Sequence, residues 1–78
     1  MLAAINISVE LHGLLAKGKN RHRKLTCDPP LTVRALLDLL EVEPQAVGMV
    51  VVNRKLRGLD HALQDGDHVL IAPFLQGG

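Results

Sequence analysis

The last two residues of the sequence, Gly77 and Gly78, are both glycine. Two residues without a Cβ can enter a channel that is too narrow for any other side chain. The carboxylate of Gly78 would then be available for adenylation by ATP, which turns a poor acyl electrophile into one that a thiolate or persulfide can attack. No side chain of this sequence performs that chemistry, so the chain would be a substrate of another enzyme.

Apolar residues before the glycines alternate in a way that predicts an outer apolar surface. If Val69 and Ile71 face a core, their neighbours in the same strand point to the opposite side. Contiguous exposed apolar area usually marks a surface that binds another protein, although a partly covered sheet face would show the same pattern. The residues that we expect to contact a partner are Met49, Val51, Leu70, Ala72, Phe74, Leu75 and Gln76, with Phe74, the single aromatic residue, as anchor.

Much of the positive charge lies in residues 17–24, which read KGKNRHRK. A solvated hairpin loop is the simplest interpretation, and a contact for RNA or for an acidic protein surface is the alternative. Proteins usually bind single-stranded RNA by stacking its bases on aromatic side chains, and this stretch contains none. The formal net charge of +1 also indicates no general attraction to nucleic acid, so we do not expect a nucleic-acid partner.

The histidines and the cysteine do not form a metal-binding pattern. The four histidines, His12, His22, His61 and His68, show neither HxH nor HxxxH spacing. A single cysteine, Cys27, cannot form an internal disulfide or hold an iron–sulfur cluster, and its place in an alternating strand predicts an inert buried thiol. We therefore expect no bound metal or cofactor.

The pattern of apolar residues predicts an α+β domain. Strict alternation predicts strands over residues 4–11 and 23–28, joined by a loop over residues 12–22. Val33, Leu36, Leu37 and Leu40 form a helical stripe that begins after Thr32, a suitable N-cap, and Pro44 ends any further helix. Further strands are predicted over residues 49–52 and 68–74, and Leu56 and Leu59 are assigned to a short edge strand and its exit.

The length and composition indicate one small soluble domain. The 78 residues are 47% hydrophobic and 22% charged, and no apolar run approaches the roughly 20 residues that a membrane span needs. The first residues, MLAA, have no basic segment and no long apolar stretch of the kind that begins a secretory signal. These features predict a cytoplasmic protein that does not associate with a membrane. A chain this small has little volume for an enclosed active site, so a carrier or binding module is favoured over an enzyme.

The sequence resembles the ubiquitin-like sulfur carriers, because several short segments and the final diglycine follow one another in the order found in that family. The family includes the thiamine sulfur carrier ThiS and MoaD, the small subunit of molybdopterin synthase. The resemblance covers nearly the whole chain. The matching segments are residues 5–9 (INISV) with Leu14-Leu15, residues 31–37 (LTVRALL), residues 50–53 (VVVN), residues 63–69 (LQDGDHV) and residues 73–78 (PFLQGG).

The resemblance implies a β-grasp fold, with a mixed sheet of four to five strands and one main helix on one face. It implies a domain over residues 1–74 and a flexible diglycine tail over residues 75–78. An E1-like enzyme would adenylate Gly78 with ATP and magnesium, and Gly77 would give the tail its access. The thiocarboxylate formed at Gly78 would donate sulfur to the acceptor of a synthase subunit, in molybdopterin or thiamine synthesis.

Two other β-grasp functions fit parts of the sequence. Residues 52–69 also resemble a TGS-type domain, a regulatory or RNA-associated module that does not need a free diglycine. A ubiquitin-like modifier would use the same activated carboxylate to join target lysines. The sequence departs from the molybdopterin-synthase small subunit at Phe74, where that family typically has a second proline, at Leu75 and Gln76, where it has smaller residues, and in its basic loop.

Overall fold

The computed structural model describes residues 3–13 and 21–73 of the chain. Within these residues the secondary structure consists of three strands, two short helical segments and four further strands. In chain order these are strands β1 (Ile5–Leu11), β2 (His22–Cys27) and β3 (Leu31–Thr32), helix α1 (Val33–Leu39), a 3-10 helix (Pro44–Ala46), and strands β4 (Val47–Val52), β5 (Lys55–Leu56), β6 (Ala62–Leu63) and β7 (His68–Pro73).

Five of the strands form one mixed sheet in the order β2-β1-β7-β4-β5. β1 and β7 are parallel, and the other neighbouring strands are antiparallel. The parallel pair brings the carboxyl ends of β1 and β7 to the same edge of the sheet. The central strand, β7, therefore ends at this edge with Pro73.

Helix α1 forms where the apolar pattern predicts it. The Thr32 side chain accepts a hydrogen bond from the Ala35 backbone N–H at 3.2 Å, which caps the first turn. Val33, Leu36, Leu37 and Leu40 are all buried, as expected for residues at i, i+3, i+4 and i+7.

The buried side of the sheet and the helix share one aliphatic core. Every second residue of β1 is buried, and β7 alternates in the same way. β4 alternates from Met49 onward, after an irregularity in register between Val47 and Met49. The apolar residues of this core are Ile5, Ile7, Val9, Leu11, Leu31, Val33, Leu36, Leu37, Leu40, Val42, Val47, Val50, Val52, Leu63, Val69 and Ile71. The opposite side of the sheet, which we call the outer face, is not covered by the helix.

The predicted mixed sheet with one helix is confirmed, and the differences lie in short or irregular segments. The two-stranded sheet of β3 and β6 was not predicted, because two-residue strands are too short to show alternation. β4 begins at Val47 rather than at residue 49, and Leu59 follows β5 without belonging to it. A 3-10 turn forms at Pro44, where the sequence predicts only an end to helix, since proline at the first helical position is tolerated.

Two further expectations are answered only in part. Cys27 is half-buried and packs against the core, rather than being fully buried as predicted. The last strand is predicted to reach Phe74, but Phe74 and the tail, residues 75–78, lie outside the described residues, and β7 is described as far as Pro73.

Candidate functional site

Strands β4 and β7 place four of the expected partner-binding residues side by side on the outer face. Met49 lies opposite Ala72, and Val51 lies opposite Leu70, in the antiparallel register of these strands. Met49 is exposed, and Val51, Leu70 and Ala72 are half-buried, whereas the alternate residues are in the core. The alternation expected from the sequence is confirmed, and the role of these residues in binding stays a prediction.

Leu56 belongs to the same surface, although sequence reasoning did not include it among the candidates. It lies opposite Val51 in the β4–β5 hairpin and is 71% exposed. The signal was available, because a two-residue loop between Val52 and Lys55 places Leu56 on the same side as Val51. We call the surface formed by Met49, Val51, Leu56, Leu70 and Ala72 the apolar half of the outer face.

β1 and β7 end together at one edge of the sheet, and the residues after Pro73 lead in the sequence to the predicted tail. The backbone N–H of His12 donates to the Ile71 carbonyl oxygen at 3.0 Å, which extends the contact between the two strands. Gly13 has a φ of +60°, and a Cβ at this position would lie 3.0 Å from Pro73 Cγ. Glycine thus permits both the backbone turn and the close approach to the last residue of β7.

The five residues after Pro73 carry the rest of the predicted site. Phe74, Leu75, Gln76, Gly77 and Gly78 all lie outside the described residues. Their predicted roles, as anchor, partner contacts and acyl group, therefore stay predictions. The structure does show that the strand leading to them is the central strand of the sheet.

The other half of the outer face is polar and is formed by β1, β2 and the start of β7. Thr26 Oγ1 donates a hydrogen bond of 2.7 Å to Asn6 Oδ1 across the β1–β2 pair. Further along, Ser8 lies between Lys24 and His68, and Glu10 lies between His22 and Leu70. We call the surface of Asn6, Ser8, Glu10, His22, Lys24, Thr26 and His68 the polar half.

Glu10 is the most strongly contacted charged residue of the polar half. Its Oε2 is hydrogen-bonded to His12 Nε2, and its Oε1 lies 3.6 Å from His22 Nδ1 and 4.0 Å from His68 Nε2. The hydrogen bond from His12 lowers the pKa of Glu10 below its usual value, and the charges of the three histidines act in the same direction against partial desolvation. Three histidines, whose spacing in the sequence shows no metal-binding pattern, therefore converge on one carboxylate.

The basic segment predicted as a loop over residues 17–24 is only partly described. Residues 17–20 lie outside the described residues, and His22 to Lys24 belong to the edge strand β2. Charged residues on an edge strand oppose pairing with another sheet. The charges in the described part of the segment can therefore protect this edge of the sheet, a role that needs no nucleic-acid ligand.

The described residues form neither a metal-binding cluster nor a membrane-spanning helix. Within residues 3–13 and 21–73, no group of three or more His, Cys, Asp or Glu side chains is arranged to hold a metal ion. No helix in the described part of the chain is long and apolar enough to cross a membrane.

Comparisons with known proteins give a family and several solved structures. The model of the ThiS family matches residues 9–78. The Haloferax volcanii HVO 2177 protein superposes with a TM-score of 0.77 at 23% identity, over 97% of this chain and 89% of that chain. SAMP1 from Haloferax volcanii gives 0.73 at 25% identity, over 94% of this chain and 99% of that one.

A third structure is a protein–protein complex of subunits 1 and 2 of the molybdopterin-converting factor from Helicobacter pylori. It matches with a TM-score of 0.63 at 20% identity, over 95% of this chain and all of that chain. A search of curated proteins finds no match. The structural matches confirm the β-grasp, ubiquitin-like fold that the resemblance implied.

Proposed function

Because the chain belongs to the ThiS family, we propose that it is a sulfur carrier whose working atom is the carbonyl carbon of Gly78. The single observation that carries this proposal is the match of the family model through residue 78, which includes Gly77 and Gly78. The position of β7 agrees with it, because the central strand delivers the tail to one edge of the sheet. The chain would act as a protein co-substrate, and the catalytic groups would belong to its partners.

The proposed reaction has two steps. In the first, the Gly78 carboxylate attacks the α-phosphorus of ATP on an E1-like enzyme with magnesium, and pyrophosphate leaves. In the second, a hydrosulfide attacks the acyl-adenylate and AMP leaves, which gives the thiocarboxylate. If a persulfide supplies the sulfur, the acyl disulfide formed first needs a thiol to cleave its S–S bond.

The apolar half is the proposed docking surface for both partners, the activating enzyme and the synthase subunit. It is contiguous, it lies on the face that the helix leaves open, and its residues Ala72 and Met49 are next to Pro73, where the tail begins. Exposed contiguous apolar area is typical of a protein interface. Phe74, Leu75 and Gln76 would continue this contact along the tail, with Phe74 as its anchor.

The sulfur acceptor would belong to cofactor synthesis of the molybdopterin or thiamine type. A solved relative of the fold, from Helicobacter pylori, forms a complex of the two subunits of a molybdopterin-converting factor. This supports a synthase subunit as the second partner here. The need for ATP and magnesium agrees with a cytoplasmic location.

Intact-mass spectrometry tests the carboxyl chemistry directly. The chain is incubated with the E1-like enzyme of the same organism, ATP, magnesium and a sulfide source. We expect the mass of the acyl-adenylate first and then a rise equal to the exchange of one oxygen for sulfur. The matched control is a chain that lacks Gly78, which should fold normally, because we expect the tail to lie outside the core, and should gain no mass.

Two results would contradict the proposal. One is a full-length chain that binds the activating enzyme and ATP but never gains mass. The other is a truncated chain that unfolds, because this would place the tail inside the domain rather than beyond it.

Conjugation to proteins is a second candidate, favoured by the similarity to SAMP1, the small archaeal modifier protein 1 of Haloferax volcanii. The same acyl-adenylate would then react with a lysine amine instead of with sulfur. Tryptic peptides with a branched remnant ending in Gly77-Gly78 on a lysine would support this function. A thiocarboxylate without such peptides would favour the carrier.

A further inference from the structure

Three of the four histidines of this chain meet one carboxylate on the outer face. His12 is hydrogen-bonded to Glu10 Oε2, His22 approaches Oε1 from β2 at 3.6 Å, and His68 approaches Oε1 from β7 at 4.0 Å. The arrangement follows from topology, because β1 lies between β2 and β7 in the sheet. We call Glu10, His12, His22 and His68 the histidine cluster.

Among the residues that the structure describes, few other charged groups lie around the cluster. On β2, Lys24 lies opposite Ser8 on the same face, and Arg21 precedes the strand, where its carbonyl oxygen accepts from the Leu11 N–H. On β7, the next outward residues are Leu70 and Ala72, and β4 and β5 present apolar side chains to this face. Helix α1 packs on the opposite face and adds no charge to the cluster.

The charge of the cluster therefore depends on its imidazoles. One carboxylate and three histidines carry −1 together when every imidazole is neutral and +2 when every imidazole is protonated. Histidine is the side chain whose charge ordinarily changes between about pH 5 and 8. Each proton gained here is placed within about 4 Å of a carboxylate oxygen.

The cluster is continuous with the apolar half. Glu10 lies directly opposite Leu70 in the β1–β7 register, and Leu70 lies directly opposite Val51. A partner that covers Leu70 and Val51 therefore also approaches Glu10, whose side chain is already only 23% exposed. Removing the remaining water from an ionised carboxylate is costly unless a cation compensates it.

We propose that the histidine cluster is part of the docking surface, and that the E1-like enzyme, seated on the apolar half, binds with uptake of a proton by this cluster. The proton places an imidazolium beside Glu10 and compensates the carboxylate as water leaves. The inference rests on the docking surface of the proposed function. It implies a partner that brings no cation of its own to Glu10, and a complex that tightens as pH falls.

Isothermal titration calorimetry measures this proton uptake. The chain is titrated into the E1-like enzyme of the same organism, without ATP so that tail chemistry takes no part, in phosphate and in Tris at each of several pH values from 6 to 8. The dependence of the binding enthalpy on the buffer gives the number of protons bound. We expect the uptake of nearly one proton for each complex formed. The dissociation constant should fall by up to about tenfold for each unit by which the pH is lowered.

Two variants of the chain assign the uptake to the cluster. In Glu10→Gln the carboxylate is gone, so uptake and pH dependence should fall towards zero. His68→Gln, whose side chain is 53% exposed, removes one imidazole and should reduce the uptake with little risk to folding. The matched control is His61→Gln, which changes the one histidine outside the cluster and should leave the uptake unchanged.

The outcomes separate the two proposals. Tight binding without proton uptake, or with uptake that survives in both Glu10→Gln and His68→Gln, overturns this inference and leaves the docking surface intact. Absence of binding at every pH contradicts the docking surface itself, and the inference fails with it.

Discussion

Asp67 is the residue that connects two turns of this domain. It is 8% exposed, and its carboxylate accepts hydrogen bonds of 2.8 Å from Asn53 Nδ2 and from the Gln64 backbone N–H. The Asn53 side chain also accepts from the His68 backbone N–H at 2.9 Å. Together these bonds join the turn after β4 to the turn before β7, and so help to position the two strands that carry the proposed docking surface.

Replacing Asp67 with alanine should lower the free energy of unfolding by about 1–3 kcal/mol, because two donors lose their acceptor in a partly buried place. Asn53→Ala should also destabilise the domain. The double variant should lose less free energy of unfolding than the sum of the two single losses, and the difference, the coupling energy, should be about 0.5–3 kcal/mol. Urea unfolding of the four proteins measures this, and strictly additive losses would show that the Asn53–Asp67 bond contributes nothing.

Glu10→Gln should change how stability depends on pH. Because the pKa of Glu10 is lowered in the folded chain, its ionised carboxylate stabilises the fold. This contribution to the free energy of unfolding is fully present above the usual glutamate pKa, about 4.5, and is lost as pH falls through the lowered pKa. The wild-type chain should therefore unfold at higher denaturant concentration than Glu10→Gln near pH 6, and the difference should close in acid. Denaturant midpoints at pH 3, 4, 5 and 6 test this, and a difference that widens in acid would have the wrong sign.

At the scale of elements, the β4–β5 hairpin is closed by a strained turn. Val52 pairs with Lys55, and both residues of the loop between them have positive φ, 51° at Asn53 and 73° at Arg54. Such a two-residue loop suits the twist of a hairpin and commonly has asparagine followed by glycine. Asn53 meets that preference, and Arg54 does not.

Arg54→Gly should raise the free energy of unfolding by about 0.5–1 kcal/mol, since glycine adopts a positive φ without the penalty that an L side chain incurs there. The matched control is Lys55→Gly in the adjacent strand, which should lower stability by about 0.5–1 kcal/mol. Thermal and urea unfolding distinguish the two variants. Equal losses in both would mean that Arg54 makes a contact worth more than its backbone strain.

At the scale of the whole molecule, the sheet separates the core from the proposed docking surface. One side packs on α1 and forms the core, while the other presents an apolar half and a polar half. The central strand, β7, is the element that precedes the tail in the sequence. A small domain can therefore offer a partner most of one face without exposing its core.

A pair of leucine substitutions tests that separation. Leu36→Ala, in the fully buried side of α1, should lower the free energy of unfolding by about 2–5 kcal/mol and leave partner affinity unchanged while the domain stays folded. Leu70→Ala, on the outer face, should cost much less stability and weaken binding to the activating enzyme by about 1–3 kcal/mol. Urea unfolding and calorimetry measure the two effects, and a reversed pattern would place Leu70 in the core and the docking surface elsewhere.

The periodic spacing of apolar residues along the chain predicts much of the fold. The spacing of Val33, Leu36, Leu37 and Leu40 predicts the buried side of α1, and alternation predicts the inner and outer residues of β1, β4 and β7. These predictions succeed because side-chain direction in a helix or strand repeats over a few residues. The two-residue strands β3 and β6 escape prediction because a pattern that short carries no period.

The diglycine end and the family resemblance can likewise be recognised from the chain alone, since they depend on residue types in order. The contacts of Asp67 with Asn53, and of His22 and His68 with Glu10, cannot be recognised in this way, because each depends on which strands become neighbours and in what register. Neighbouring strands here join residues far apart in sequence, and the free energy of that pairing comes from packing the shared core. Only the folded molecule therefore brings a titratable cluster to the border of the apolar surface.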